Sequence, residues 1–359
     1  MEKIKIGGRL VGGDEPCFVI AEAGSNWHYC DDMEKNHEHA LRLIDLAAEA
    51  GVDAVKFQLY RAERLYTRGA GHADYLNNRK SIYELIKNTE VPYSWLNELK
   101  SYCEGLGLVF LATPFDEDSV DALEDIGVAA YKIASYTITH RPLLEYISGT
   151  GKPIILSTGA STLPDIREAV KWIVVKGNKQ IALMQCTAKY PAQLNTINLR
   201  AIPRLKERFK MPVGLSDHSR EPTIAPFGAV ALGANLIEKH YTTDNCLEGA
   251  DHSFAILPNE LKEMVAGIRG IEAALGGSEK TVQAVEQELY DFARRRIHAT
   301  RTIKKGETLT HKNIAVLRSG KVAPGLEPKY LKEIIGRKAG VEIKKDEGIQ
   351  WELMEEQID

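Results

Sequence analysis

Short apolar segments rich in valine and isoleucine alternate with helix-period segments between residues 18 and 240, and this alternation strongly constrains the fold. Parallel strands that are covered by helices on both faces read as continuous apolar runs. Glycine follows several of the helical segments, as expected where a helix ends and a new strand begins. The runs predicted as strands are 18–22, 54–58, 109–113, 130–135, 154–157, 181–186, 213–216 and 236–239.

Eight βα units in a row favour a closed (β/α)8 TIM barrel over an open doubly wound sheet, which stays the alternative. No Gly-x-Gly-x-x-Gly motif follows a predicted strand, which disfavours a dinucleotide-binding sheet. We therefore assign residues 1–280 to a barrel, 281–296 to a linker and 297–359 to a small β-rich domain. Within that small domain, residues 302–307 are echoed by residues 342–348, a weak internal repeat.

Composition and charge limit the class of protein. The 359-residue chain is 44% hydrophobic and has a formal net charge of −4, without the basic excess of a general nucleic-acid binder. Its five cysteines are scattered and include no Cys-x-x-Cys pair, which disfavours a disulfide framework and a thiolate zinc site. The sequence shows no long apolar run and no apolar signal core, so we expect a cytoplasmic protein that does not bind membranes.

Polar and ionisable residues end nearly every predicted strand, and in a TIM barrel the carboxyl ends of the strands form the active site. Lys56 and Lys132 each interrupt a strongly apolar strand. A lysine inside a barrel has little room to reach solvent; the alternative is that each lysine pairs with a structural carboxylate. Together with the hydroxyl groups of Thr113, Ser135 and Ser157, two inward cations predict a site for phosphate and carboxylate groups.

Two histidines, His218 and His240, follow or end consecutive predicted strands, which are neighbours in a barrel. Two imidazoles can hold a divalent ion and leave positions open for substrate. Donor sets of nitrogen and oxygen without sulfur favour Mn²⁺, with Mg²⁺ or Co²⁺ as alternatives, over a structural zinc. Glu22 ends the first strand, and the loop 249–252 is a candidate substrate loop. The residues alone thus predict a phosphate-bearing substrate and a metal, and leave the reaction open.

The residues at these strand ends resemble motifs of the sialic acid synthase family, the phosphoenolpyruvate-dependent N-acetylneuraminate synthases. The resemblance extends from Glu22 to the C-terminal segment, which is similar to the SAF (antifreeze-like) domain of that family. The motifs that carry it are Val55-Lys56-Phe57-Gln58, Ala112-Thr113-Pro114-Phe115, Tyr131-Lys132-Ile133-Ala134-Ser135, Leu156-Ser157-Thr158-Gly159, Gly214-Leu215-Ser216-Asp217-His218-Ser219 and Ile237-Glu238-Lys239-His240.

The resemblance implies that phosphoenolpyruvate, an N-acylated amino sugar (N-acetylmannosamine by default) and water react to give a sialic-acid-type nonulosonate and phosphate. The residues implied to bind phosphoenolpyruvate are Lys56, Thr113, Lys132, Ser135, Ser157 and Ser216. Those implied to contact the sugar are Gln58, Asn77 or its neighbour Asn78, Tyr190, Asp251 and Arg318. The implied catalytic residues are Glu22, Lys56 and Lys132, and the implied metal ligands are His218 and His240. Arg318 would reach a partner's barrel, which implies a homodimer with exchanged C-terminal domains.

Other functions remain open at this point. Close variants of the family use a diacetamido hexose to make legionaminic or pseudaminic acid, and the loop Gly249-Ala250-Asp251-His252 favours the sialic or legionaminic type. A metal-dependent aldolase or lyase on the same barrel would need no phosphate donor. A non-catalytic ice- or carbohydrate-binding protein is disfavoured by the intact lysine and histidine pairs.

Overall fold

A computed structural model describes residues 2–72 and 81–356 of the chain. The chain divides into two compact units, Met1–Gly276 and Gly277–Asp359. Asn77 and Asn78, one of which the resemblance implies in sugar binding, lie outside the described residues. Within the described ranges, no helix has the length and apolar character needed to cross a membrane.

The larger unit is a closed barrel of parallel strands. The strands of the described residues are β1 Ile4–Ile6, β2 Arg9–Val11, β3 Phe18–Gly24, β4 Ala54–Leu59, β5 Val109–Pro114, β6 Tyr131–Ile133, β7 Ile154–Ser157, β8 Ile181–Cys186, β9 Val213–Asp217, β10 Leu236–His240, β11 Arg295–Ala299 and β12 Ile314–Arg318. The barrel order is β10-β3-β4-β5-β6-β7-β8-β9. Each of the eight barrel strands overlaps a predicted strand. The predicted TIM barrel is therefore confirmed, and the alternative of an open doubly wound sheet is wrong.

Side chains alternate along each barrel strand between the interior and the helix-facing surface. In β3, Phe18 and Ile20 belong to an inner apolar cluster, whereas Val19 and Ala21 belong to the larger cluster that includes the helices. Glu22 has the same parity as Ile20 and is also buried. The periodicity that fills the amino end of the barrel with apolar side chains therefore directs a polar one inward at its carboxyl end.

Helices alternate with the barrel strands and cover them. Their bounds are α1 Met33–Ala50, α2 Ala62–Leu65, α3 Ile82–Asn88, α4 Leu96–Gly105, α5 Glu117–Asp125, α6 Arg141–Gly149, α7 Leu163–Val175, α8 Ala201–Phe209, α9 Ile224–Ala231 and α10 Pro258–Leu275. The first of them has clear end signals. The side chain of Asp32 accepts hydrogen bonds from the N–H groups of Glu34 and Lys35, and Gly51 ends the helix at a φ of 77°.

A hairpin that the sequence pattern did not predict packs against the amino end of the barrel. Its strands β1 and β2 pair antiparallel. Ile4, Ile6 and Val11 belong to the same inner apolar cluster as Ile20 and Leu111. Strands of three residues are too short to show a reliable periodicity, which is why they were missed.

The smaller unit has an apolar core of its own and a two-stranded antiparallel sheet of β11 and β12. Its helices are α11 Gln287–Ala293 and α12 Leu331–Ile334. The predicted repeat has a structural counterpart, because Ile303 and Ile343 exchange backbone hydrogen bonds of 2.8 and 2.9 Å. Over 281–296, where we predicted a linker, the structure has α11 and the start of β11.

Candidate active site

The two strand lysines lie inside the barrel at its carboxyl end. Lys56 in β4 is 2% exposed and Lys132 in β6 is 3% exposed. Lys56 Nζ lies 2.6 Å from Glu22 Oε2 and donates to Thr113 Oγ1 at 3.0 Å. Lys132 Nζ donates to Ser157 Oγ at 2.7 Å. The structure thus brings both lysines, the carboxylate of the first strand and two of the predicted hydroxyl groups into one buried cluster.

Glu238, which is not among the predicted site residues, joins the two lysines. Its Oε1 lies 3.3 Å from Lys132 Nζ and 3.9 Å from Lys56 Nζ, and it accepts a hydrogen bond of 3.1 Å from Ser216 Oγ. Burial raises the pKa of Glu238, but the two lysines outweigh burial and hold that pKa at about 2. Its other oxygen, Oε2, is buried and accepts no hydrogen bond from any described residue. That atom is therefore an acceptor available to a ligand.

Strand parity is the signal that could have identified Glu238. Leu236 belongs to the inner apolar cluster, and Glu238 lies two residues further along β10. The same two-residue step leads from Ile20 to Glu22 in β3. A carboxylate at that position of a barrel strand is expected to face inward.

The two lysines differ in how their surroundings act on the ammonium group. Burial lowers the pKa of Lys56, but Glu22 and Glu238 outweigh it and raise the pKa above its usual value. Around Lys132, burial prevails over the attraction of Glu238 and keeps the pKa below its usual value. An anion placed beside Lys132 would favour its charged form and so offset the effect of burial.

Glu22 is a buried carboxyl group whose surroundings favour its protonated form. Burial raises the pKa of Glu22, and the nearby ammonium group of Lys56 opposes that change. The side-chain amide of Gln58 donates to Glu22 Oε1 at 2.7 Å. A carboxyl group with a raised pKa is typical of residues that transfer protons in active sites. The structure therefore shows Gln58 holding Glu22, and its predicted contact with the sugar stays a prediction.

His218 and His240 lie side by side, with ring centroids 5.5 Å apart. Burial lowers the pKa of both rings, that of His218 to about 3, so both are neutral near pH 7. His218 Nδ1 lies 3.0 Å from the carbonyl oxygen of Thr187, which places the proton on Nδ1 and leaves Nε2 with a lone pair. His240 Nδ1 is buried and forms no hydrogen bond with any described residue. Two neutral imidazoles, one with an unsatisfied buried nitrogen, fit a divalent ion.

Among the described residues, the pair of histidines is not part of a larger ligand cluster. Over residues 2–72 and 81–356, no three or more His, Cys, Asp and Glu side chains are arranged to hold a metal ion. Two protein ligands leave coordination positions for water or substrate oxygens. Metal binding by His218 and His240 stays a prediction.

Tyr190 and Asp251, both predicted to contact the sugar, lie against the histidines. The ring of Tyr190 stacks on that of His218 with centroids 4.2 Å apart. Asp251 Oδ2 lies 3.7 Å from His240 Nδ1 and accepts a hydrogen bond of 3.0 Å from Ser25 Oγ. The structure thus places these two side chains beside the predicted metal ligands.

Ser135, predicted to bind phosphoenolpyruvate, lies against the backbone of a neighbouring loop. Its Oγ accepts a hydrogen bond of 3.0 Å from the N–H of Gly159. A Cβ atom at that glycine would lie 2.8 Å from Ser135 Oγ and 3.0 Å from Cys186 Sγ. The close approach of this loop therefore requires glycine at position 159.

Arg318 belongs to the smaller unit. It is the last residue of β12, where it pairs with Arg295 across the sheet, and its side chain is exposed. Its contact with a sugar in a partner subunit stays a prediction.

Comparisons with known proteins identify relatives along nearly the whole chain. A model described as NeuB family matches residues 43–280, and a SAF domain model matches residues 294–355. The chain is 44% identical to the spore coat polysaccharide biosynthesis protein SpsE of Bacillus subtilis, over 98% of this chain and 97% of that protein. It is 37% identical to the N,N'-diacetyllegionaminic acid synthase of Campylobacter jejuni, over 93% and 98% of the two chains.

A solved structure is also similar to this chain. The N-acetylneuraminic acid (sialic acid) synthetase from Leptospira borgpetersenii, in complex with citrate, matches with a TM-score of 0.71 and 35% identity, over 81% of this chain and 96% of that one. These matches confirm the resemblance that the strand-end motifs carry. The chain belongs to the NeuB family of phosphoenolpyruvate-dependent synthases of sialic, legionaminic and pseudaminic acids, and it has a SAF domain at its carboxyl end.

Proposed function

We propose that this synthase condenses phosphoenolpyruvate with an N-acylated amino sugar and water to give a nonulosonic acid and phosphate, with N-acetylmannosamine as the default sugar. The observation that carries this proposal is the buried pair of Lys56 and Lys132, joined by Glu238. Phosphoenolpyruvate has a phosphate and a carboxylate, and two fixed cations match these two anionic groups. Hydroxyl groups that would donate to its oxygens come from Thr113, Ser135, Ser157 and Ser216.

In the proposed reaction the enol carbon of phosphoenolpyruvate bonds to the aldehyde carbon of the open-chain sugar. The π bond of that C=O group breaks, its oxygen becomes a hydroxyl group of the product, and water adds to the pyruvyl C2. Phosphate then leaves with cleavage of its C–O bond, which produces the ketone. Lys56 and Lys132 stabilise the negative charge that develops on the phosphate, because they are held in place before the reaction begins.

Glu22 is the proposed proton carrier of this reaction. Its carboxylate accepts the proton released when water adds to C2, and the raised pKa makes it a stronger base than an exposed glutamate. The hydrogen bond from Gln58 fixes Oε1, so that Oε2 is held beside Lys56. In this proposal Glu22 accepts a proton at C2 of phosphoenolpyruvate, the carbon that lies beside the two lysines.

His218 and His240 are the proposed ligands of a divalent ion, with Mn²⁺ favoured and Mg²⁺ or Co²⁺ as alternatives. When bound, such an ion supplies Lewis-acid polarisation of the aldehyde oxygen. The chain contributes two imidazoles that burial keeps neutral, and Tyr190 and Asp251 lie beside them. We propose that these two side chains orient the sugar at the histidines.

A second candidate sugar is a 2,4-diacetamido hexose, which would make the product legionaminic acid. The similarity to the Campylobacter diacetyllegionaminic acid synthase favours it, and the loop containing Asp251 agrees with either the sialic or the legionaminic type. The proposed functional unit is a cytoplasmic homodimer in which Arg318 contacts the N-acyl group of a sugar in the partner subunit.

The test is phosphate release from phosphoenolpyruvate with Mn²⁺, measured separately with N-acetylmannosamine and with 2,4-diacetamido-trideoxy hexoses. Product masses identify the nonulosonic acid, and reactions without sugar give the background. Turnover with N-acetylmannosamine would support the default sugar. Turnover with a diacetamido sugar alone would keep the mechanism and move the product to legionaminic or pseudaminic acid. A folded, metal-loaded protein without turnover on any of these sugars would overturn the proposal.

A further inference from the structure

A second buried ion pair lies next to the two histidines. Lys239 and Asp217 are each 1% exposed, face each other in register across β10 and β9, and approach to 2.5 Å between Nζ and Oδ2. Each of them directly precedes one of the histidines, His240 and His218. Because side chains alternate along a strand and Glu238 faces the barrel interior, this pair faces the helices behind the site.

Lys239 also holds the loop that contains His218. Its Nζ donates to the carbonyl oxygens of Ser219 at 2.5 Å and of Glu221 at 2.8 Å. With Asp217, these partners engage the three donor hydrogens of the ammonium group. Asp217 in turn accepts hydrogen bonds from the N–H and the hydroxyl group of Ser219, at 2.9 and 3.0 Å. The residues on both sides of His218 are therefore tied to one buried cation.

We propose that the Lys239–Asp217 pair positions His218 relative to His240 and thereby sets the affinity of the two histidines for a divalent cation. This inference rests on the metal role of the histidines in the proposed function. The backbone hydrogen bonds between β9 and β10 already hold the two strands together up to Asp217 and Lys239. Beyond that point, where His218 lies, the hydrogen bonds between the described residues of the loop and β10 are those that Lys239 donates.

We expect the ion pair to change the affinity for the cation because of geometry. A divalent ion binds tightly only when its ligands are held at the right separation, and residues behind the ligands typically change metal affinity by about 10- to 100-fold when they are replaced. If the ion pair only stabilised the fold, its removal would instead lower the free energy of unfolding and leave the Mn²⁺ affinity of the folded protein unchanged.

The test is Mn²⁺ binding to the metal-free protein, measured from the electron paramagnetic resonance signal of free Mn²⁺ without any substrate. For Lys239→Met we expect the Kd of Mn²⁺ to rise by about 10- to 100-fold. The Kd of phosphoenolpyruvate, measured by calorimetry without metal, should stay within about twofold, because Lys56 and Lys132 are distinct from the altered pair.

Arg269→Met is the matched control. Arg269 Nη2 lies 2.9 Å from Asp53 Oδ2, and this carboxylate is buried at the amino end of the barrel, just before β4. The variant therefore disrupts a partly buried ion pair at the end opposite the histidines. Its Mn²⁺ affinity should equal that of the wild type. An equal loss in both variants would show a general effect of destabilisation and would overturn the positioning role.

Lys239→Met leaves the charge of Asp217 buried without its cation, which can prevent folding. The double variant Asp217→Asn, Lys239→Met removes both charges and keeps an acceptor for the Ser219 N–H group. Weak Mn²⁺ binding by this folded variant would support the inference, and wild-type affinity would contradict it. Failure of the proposed metal site would give a different result, because His218→Ala would then bind Mn²⁺ as tightly as the wild type. That result would overturn both the metal site and the positioning role of the Lys239–Asp217 pair.

Discussion

The two ends of the barrel interior are built from the same strands and have opposite chemistry. At the amino end the inward side chains form an apolar cluster with the hairpin, and on six of the eight barrel strands the inward side chain two residues further along the chain is polar. The pairs, with the apolar residue first, are Ile20 and Glu22, Ala54 and Lys56, Leu111 and Thr113, Ala130 and Lys132, Ile155 and Ser157, and Leu236 and Glu238.

A single step of about 7 Å along a strand separates side chains that stabilise the fold from side chains of the proposed catalytic site. Apolar burial at the amino end stabilises the fold. Buried charges at the carboxyl end are desolvated, and mutual pairing only partly offsets that cost. Substitutions at the first residue of a pair should therefore change stability, and those at the second should change catalysis.

The largest expected effect is that of Lys132→Met on the reaction. Removing a cation of the proposed phosphoenolpyruvate site should lower kcat/KM for phosphoenolpyruvate by about a thousandfold. The variant should fold with a moderately lower Tm, because Lys56 Nζ still lies 3.9 Å from Glu238 Oε1 and Ser216 still donates to that oxygen. Steady-state kinetics and calorimetric unfolding measure the two quantities. A folded variant with wild-type kcat/KM would contradict the proposed binding site.

Ile155→Ala tests the opposite end of the barrel. Truncating this fully buried side chain should lower the free energy of unfolding by about 2–5 kcal/mol. KM for phosphoenolpyruvate should stay unchanged at a temperature where the variant is folded, because Ile155 lies in the apolar cluster. Urea unfolding and kinetics provide the measurements. A loss of activity without a loss of stability would contradict the expectation that inward side chains at the amino end contribute to stability and not to catalysis.

Ser157→Ala alters the polar partner of Ile155 on the same strand. It removes the hydroxyl group that accepts from Lys132 at 2.7 Å and that would donate to the substrate. KM for phosphoenolpyruvate should rise about tenfold, the equivalent of one hydrogen bond to a charged group. The free energy of unfolding should change less than in Ile155→Ala. Equal losses of unfolding free energy in Ile155→Ala and Ser157→Ala would mean that residues 155 and 157 of β7 do not differ in their contribution to stability.

The smallest expected effect is a change in the pH dependence of stability. Burial raises the pKa of Glu22 above its usual value of 4.5, so the folded state binds this proton more tightly than the unfolded state does. Its contribution to stability is fully present below pH 4.5 and is lost as pH rises through the raised pKa.

Glu22→Gln should therefore gain stability relative to the wild type as the pH rises from 4.5 toward neutrality. Urea unfolding at several pH values measures that difference. Ser157→Ala, which changes no ionisable group, serves as the control and should show a constant offset. If the free energy of unfolding of Glu22→Gln instead fell relative to that of the wild type as the pH rises, the pKa of Glu22 would be lowered in the folded protein.

Much of the barrel could be predicted from the sequence because strand periodicity is a local property. The pattern located the barrel strands, the lysines that interrupt two of them and the histidines at two neighbouring ends. It missed the hairpin, whose strands of three residues are too short to show a period. In the structure the amide of Gln58 donates to Glu22 across neighbouring strands, a contact that the pattern did not predict. The sugar contact that the resemblance implies for Gln58 stays a prediction.

The sequence by itself determined which residues face the barrel interior, because covalent geometry makes side chains alternate along any strand. Only the tertiary structure decided which of these residues meet. Glu238 in β10 and Lys132 in β6 belong to strands that are not neighbours in the sheet, and they lie 3.3 Å apart because the sheet closes into a barrel. Charge interactions depend on distance and burial, so the pKa values of this cluster arise from that closure.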